Sequence, residues 1–356
     1  MSGTENQAAT AGAYNLAVNP PRIRNEIWRW LMFSDYGIVA QRHMAIVWSC
    51  VLACILADVI GMQDSRLSFV SSNWAALGQC SAYCVFAAIF IAFASDRLRT
   101  DERRPAIVLR RVLLLTELLW RVLLPTLALL VAGGILTYVI TSANLPLRDN
   151  VLADIDRLLG FDWPDFLQAT NANPVVATLL TRAYNETGLA AQVVVLCFIF
   201  QRRGERLTEF MAILSLCAVA VCIGMWLVPA AGAFAYFSPA PQDFANFSAI
   251  AEMWPFGRTF VMLRDGSLTT MDLAKVDGIV SFPSFHTMAG LMTIYAARDM
   301  RWLLIPVVLV NGMMIVATLP VGGHHLADVL VGAALTIAAI LLVRRSSVDR
   351  TAAATP

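Results

Sequence analysis

Lysine is almost absent from this chain: of the 26 basic residues only Lys275 is a lysine. Charge of either sign is scarce. Asp, Glu, Lys and Arg make up 14 % of the residues, against about 25 % in a typical soluble domain. The net charge is +1, so no strong field points to nucleic acid. A cleavable leader is also missing. Residues 1–20 are small and polar and are followed by Arg22, Arg24 and Arg29, which reads as a disordered cytoplasmic tail. No cysteine framework is present. All seven cysteines (Cys50, Cys54, Cys80, Cys84, Cys197, Cys217 and Cys222) fall in apolar segments, and their number is odd, which argues against a disulfide scaffold. Histidine is the fourth scarcity: there are only 4, and 3 of them lie in two short runs.

What is abundant is apolar sequence, 58 % of the residues. A bilayer core about 30 Å thick needs roughly 20 apolar residues per spanning helix. Eight windows qualify: 43–62, 74–94, 115–140, 176–200, 208–228, 284–298, 302–320 and 325–343, with the sixth short. The expectation is an all-α, polytopic membrane protein of about eight transmembrane helices. The basic residues alternate across these windows. Segments 21–42, 95–111, 201–207, 298–301 and 344–356 hold 18 of the 26. By the positive-inside rule both termini lie in the cytoplasm, in a cell inner or plasma membrane, and residues near 286 and 324 lie outside it. His43, at the cytoplasmic start of the first window, and Asp58, near its outer end, read as interfacial. Glu117 and Arg121 read as an i,i+4 pair.

Two long stretches lie on the outside face. Positions 151–167 have apolar residues at helical spacing, read as one amphipathic surface helix with a break at Trp163-Pro164. Residues 229–283, rich in aromatics and proline, form the longest non-spanning stretch and suit a lid or substrate platform.

The chemistry-bearing residues lie at the outer ends of apolar segments. One run is Ser281-Phe282-Pro283-Ser284-Phe285-His286; the other is Gly322-Gly323-His324-His325-Leu326-Ala327-Asp328. His324 and Asp328, four apart, share a helix face. There the carboxylate can hold one imidazole nitrogen and leave the other free to attack or take a proton. His325, three residues from Asp328, could face the same carboxylate. His286 can protonate a leaving alkoxide. Ser284 suits a helix cap, and Gly323 permits close backbone approach to a phosphate. A zinc site built from His286, His324, His325 and Asp328 is a second reading, and a non-catalytic lipid-binding or transport protein a third.

The two runs, in this order and 38 residues apart between His286 and His324, resemble the motifs of the type 2 phosphatidic acid phosphatase superfamily. Phe282-Pro283-Ser284-Phe285-His286 and His324-His325-Leu326-Ala327-Asp328 are similar to its inositol phosphorylceramide synthase-like branch. The resemblance covers about residues 140–345 and leaves the first two helices outside. It implies a six-helix core with an extracytoplasmic site working without metal or other cofactor. It implies His324 as a nucleophile forming a phosphohistidine, Asp328 orienting it, His286 as acid and Ser284 on phosphate. The substrate would be a phospholipid, polyprenyl or sphingolipid phosphate. The domain division expected is 1–20 tail, 21–111 two helices and a basic loop, 112–345 catalytic membrane domain and 346–356 tail. Two family features are missing. Thr318 stands where the phosphatase branch has an arginine six residues before the nucleophile, and the Lys-x6-Arg-Pro motif has no match. Arg264, with Arg258 second, is the expected substitute phosphate clamp, chosen by position and charge.

Overall fold

The computed structural model describes residue 29 and residues 31–348, except 99, 187 and 248–254. The 1–20 tail and residues 349–356 therefore lie outside the described residues, while 346–348 continue the last helix. Every one of the eight apolar windows is helical. The helices are α1 (Gly37–Asp64), α2 (Ser71–Arg97), α3 (Arg104–Ser142), α4 (Asp149–Leu158), α5 (Trp163–Asn171), α6 (Pro174–Asn185), α7 (Leu189–Phe200), α8 (Gly204–Leu227), α9 (Ala233–Phe237), α10 (Pro255–Asp265), α11 (Phe285–Ala297), α12 (Arg301–Ala317) and α13 (Leu326–Val348). Helix is the expected solution in lipid, since it satisfies the backbone within one segment.

Length separates these helices. Among the described residues five are long and apolar enough to cross a membrane: α1 (with the preceding turn), α2, α3, α8 and α13. The pair α6–α7 makes a sixth if taken as one span bent by 43°. The bend falls at Gly188, whose φ of 96° breaks the helix. α11 and α12, with 13 and 17 residues, are shorter than these spans.

The stretch 151–167 is two helices rather than one. Gly160, at φ 76°, ends α4 in the left-handed conformation that glycine favours. Asp162 then caps α5, its carboxylate accepting from Asp165 N at 2.9 Å. Pro164 sits in the first turn of α5, so it starts a helix where a break was expected.

α8 is the central helix and packs against α1, α3, α11 and α13. Its buried side includes Leu207, Phe210, Ile213 and Cys217, interleaved with Met44 of α1, Phe198 of α7 and Met288 and Met292 of α11. Between helices in lipid, close van der Waals packing replaces the hydrophobic drive. α2 is peripheral. Its strongest packing is against α3, and Tyr83, Phe86 and Phe93 remain exposed on it.

The helix ends sort into two groups. At one end Arg42 donates to Ser346 O (2.7 Å), Arg206 to Ala296 O (2.9 Å), and Arg298 pairs with Glu209 at 3.1 Å. At the other end Ser284 N donates to Asp328 O (3.1 Å) and Arg148 N to Pro229 O (2.8 Å). Two short strands, β1 (Ser68–Phe69) and β2 (Thr270–Met271), pair there in parallel and tie the long 229–283 stretch to the loop after α1. Arg121 meets both Glu117 (2.7 Å) and Asp35 (2.6 Å). His43 and Asp58 are buried, and His43 Nδ1 lies 3.2 Å from Thr208 Oγ1.

Candidate active site

The site forms where the starts of α11 and α13 meet the loop 318–325. Ser284 caps α11. Its Oγ accepts from Thr287 N (3.4 Å) and lies 3.1 Å from Thr287 Oγ1, and the residue is fully buried. The expected phosphate-contacting hydroxyl is thus engaged by its own helix.

His324 Nδ1 lies 3.2 Å from Asp328 Oδ2. Its backbone N donates to Thr318 O at 3.1 Å, which fixes the imidazole's root. Asp328 Oδ2 also accepts from His325 N at 3.0 Å, while Asp328 Oδ1 is buried without a hydrogen-bond partner. The His325 side chain turns away from Asp328. Its Nδ1 lies 3.3 Å from Asp156 Oδ2 and its Nε2 3.6 Å from Asp149 Oδ1, and the ring is fully buried. A phosphate-contacting His325 does not fit these neighbours, because both ring nitrogens face carboxylates of α4.

Those carboxylates do more than hold a ring. Asp156 accepts from Leu326 N (3.0 Å) and Ala327 N (2.8 Å), so it caps α13 from another helix. Asp149 accepts from Ala231 N (3.0 Å) and Gly232 N (2.8 Å). Neither residue falls in the two histidine runs. Their spacing held a signal: Asp149, Leu152 and Asp156 lie at i, i+3 and i+7, one face of a helix, and all three are buried.

His286 stacks on Tyr184 of α6, with ring centroids 4.3 Å apart and an angle of 22°, and its Nδ1 is 3.4 Å from the phenol oxygen. Tyr184 reaches the other histidine too. A Cβ placed on Gly322 would meet Tyr184 Cε2 at 2.9 Å and His324 Cδ2 at 3.0 Å. Tyr184 therefore lies beside both imidazoles, a residue no motif had marked. Gly323 adopts φ 64°, and a Cβ there would strike Phe234 at 2.8 Å, so both conformation and space require glycine.

An aromatic cover packs over this loop. Trp163 donates to Leu319 O (2.9 Å), stacks on Phe237 (5.6 Å) and meets Phe234 edge-on (6.2 Å). The aromatic-rich stretch thus joins α5 above the site. Thr318, in the arginine's place, is fully buried and donates to Ile315 O at 2.7 Å. Arg264 donates to Leu145 O (2.8 Å), lies 5.5 Å from the Phe260 ring centre and lines a small space with Phe282 and Ala230. Arg258 is exposed on α10.

With this geometry in place, a family model described as PAP2 superfamily matches residues 150–342, just over half of the chain. The chain belongs to the PAP2 superfamily. No curated protein and no solved structure matches it. The PAP2 match begins within α4 and ends within α13, so it includes Asp156 and both histidine runs, while Asp149 and helices α1, α2 and α3 precede it.

Electrostatics give the PAP2 site a pH dependence. Burial disfavours a charged His325, but the flanking Asp149, Asp156 and Asp328 outweigh it and push its pKa up to about 9. A raised folded-state pKa contributes stability fully below the ordinary histidine value of about 6.5, and that contribution is lost as pH rises through about 9. The expected outcome is a thermal unfolding midpoint in detergent that falls between about pH 6 and pH 9.5 in the wild type. His325→Gln should start lower and lose less over the same range. Equal slopes would remove the imidazolium from this role.

Proposed function

We propose that this protein is a lipid phosphatase or phosphotransferase that works through a phosphohistidine on His324. The observation that carries the reading is His324 Nδ1 held by Asp328 while His286 stacks on Tyr184, which flanks Gly322 together with His324. His324 Nε2 attacks phosphorus, and the phosphorus–oxygen bond to the leaving alkoxide breaks as His286 gives that oxygen its proton. In the second half His286 takes a proton from water or an alcohol, whose oxygen attacks phosphorus and frees His324. PAP2 membership supports lipid phosphate chemistry. The Phe-Pro-Ser-x-His pattern, the His-His step and Thr318 in place of arginine favour the inositol phosphorylceramide synthase-like, head-group-transferring branch.

Charge building on the equatorial oxygens needs donors. Arg264, beside Phe282 of the motif, is our first candidate and the exposed Arg258 the second. The metal-hydrolase alternative has less support, because His324 and His325 address different carboxylates. Incubation of the purified protein with labelled phospholipids, with and without inositol, tests the reading. Acid-labile, alkali-stable label on the protein, insensitive to chelator, is expected. Chelator-sensitive turnover without labelled protein would favour the metal reading. In the same assay His286→Ala should slow label formation by about a hundredfold, the scale of a lost general acid. An unchanged rate would remove His286 from proton transfer.

For topology we propose that the histidine end faces outside the cytoplasm, with α11 and α12 completing eight crossings. A cysteine at Ser267 should react with an impermeant thiol reagent in intact cells, and one at Ser347 only after the membrane is opened. The reverse labelling would invert the protein.

A further inference from the structure

A cleft of about 1040 Å³ lies between α1, α3, α8 and α10, mostly outside the segment matched by the PAP2 family. It is at the upper end of the range for small-molecule pockets, roughly 300–1,000 Å³. Its floor is apolar and includes Ala57, Leu136, Val219 and Trp226. Its rim carries Asp64, Arg66, Arg264 and Asp265.

Depth and chemistry point the same way. Along α1 the lining runs from Ala53 to Asp64, which at about 1.5 Å per residue is roughly 16 Å. That matches one leaflet, half of a hydrocarbon core about 30 Å thick. The polar rim sits at the helix ends on the histidine side, where a head group would lie. The rim charges balance, with two guanidinium groups and two carboxylates. Exposed Arg66 has no hydrogen-bond or ion-pair partner among the described residues, and Arg264 spends one N–H on Leu145 O. A balanced rim suits a head group that carries both signs. Guanidinium forks bind phosphate oxygens, and carboxylates meet an ammonium.

We propose that this cleft binds one zwitterionic phospholipid. Its acyl chains lie along α1, α3 and α8, its phosphate meets Arg66, and its ammonium meets Asp64 and Asp265. Helices outside the matched segment would then have a purpose, to hold a lipid beside the site in the leaflet that the histidines face. The inference does not need His324 to be a nucleophile, since binding is read without turnover.

The test is native mass spectrometry of the full-length protein in mild detergent, titrated separately with dioleoyl phosphatidylethanolamine and dioleoyl phosphatidylglycerol. One tightly held phosphatidylethanolamine is expected, with phosphatidylglycerol about tenfold weaker because the carboxylates repel it. Arg66→Glu, on the exposed rim, should weaken phosphatidylethanolamine by about tenfold or more through reversed charge. Ala57→Trp should do the same by filling the floor. If Ala57→Trp does not fold, Arg66→Glu alone decides. His324→Ala should bind as the wild type does, so a failed catalytic assignment and a failed binding site give different results. Equal affinity for the two lipids, or Arg66→Glu binding phosphatidylethanolamine like the wild type, overturns the proposal.

Discussion

His324→Ala is expected to lower turnover by about a thousandfold or more, as for a lost nucleophile, while the protein stays folded in detergent. His324 Nδ1 is held 3.2 Å from Asp328, and no second imidazole shares that carboxylate through its side chain. His325 cannot step in, because its ring sits between Asp149 and Asp156. The two histidines should therefore fail differently. His324→Ala loses labelled protein but keeps its unfolding midpoint. His325→Ala lowers the midpoint first. Near-normal turnover in His324→Ala would end the phosphohistidine proposal, and turnover measured beside thermal unfolding for both variants separates the cases.

The second large effect is on stability. Asp156→Ala removes, at one stroke, the acceptor for Leu326 N, Ala327 N and His325 Nδ1. All of these groups lie where water is scarce, and an imidazolium loses one of the carboxylates that flank it. Breaking a buried charge pair by removing one partner costs about 3–5 kcal/mol. The expected result is a sharply lower unfolding midpoint, faster proteolysis in the 318–325 loop and loss of turnover together. Asp156→Asn should recover part of the midpoint, since an amide oxygen still accepts from the two N–H groups but carries no charge. A midpoint within a degree or two of wild type for Asp156→Ala would show that α4 does not support the site.

Helices and motifs were legible because their signals are local. A run of apolar residues says where a helix lies, and His324 with Asp328 four residues on says which side chains share a face. The short α11 is legible too, since the window 284–298 is short and Ser284 suits its cap, whereas contacts distant in sequence are not legible. Asp149, Asp156 and Tyr184 were missed for the same reason. Each acts on residues more than 80 positions away, on Gly232 at 83, on Ala327 at 171 and on His286 at 102. The one helix read over 151–167 became two because Gly160 and Asp162 each obey a local rule that the hydrophobic pattern alone overrode. His325 shows the reverse case. Proximity in sequence suggested a role in the site, and packing gave its ring to α4.

The cap that α4 places on α13 also has a consequence for biosynthesis. Chains are made from the N-terminus, and their units form in that order. Asp156 therefore emerges long before His325 and the first turn of α13, which are its partners. Until α13, the last described helix in the chain, is made, Asp156 has none of these partners, whereas Asp149 can already meet Ala231 and Gly232. The α4 cap on the start of α13 can therefore form only in a late step of synthesis. A partly synthesised chain has lipid-facing helices but no reactive centre.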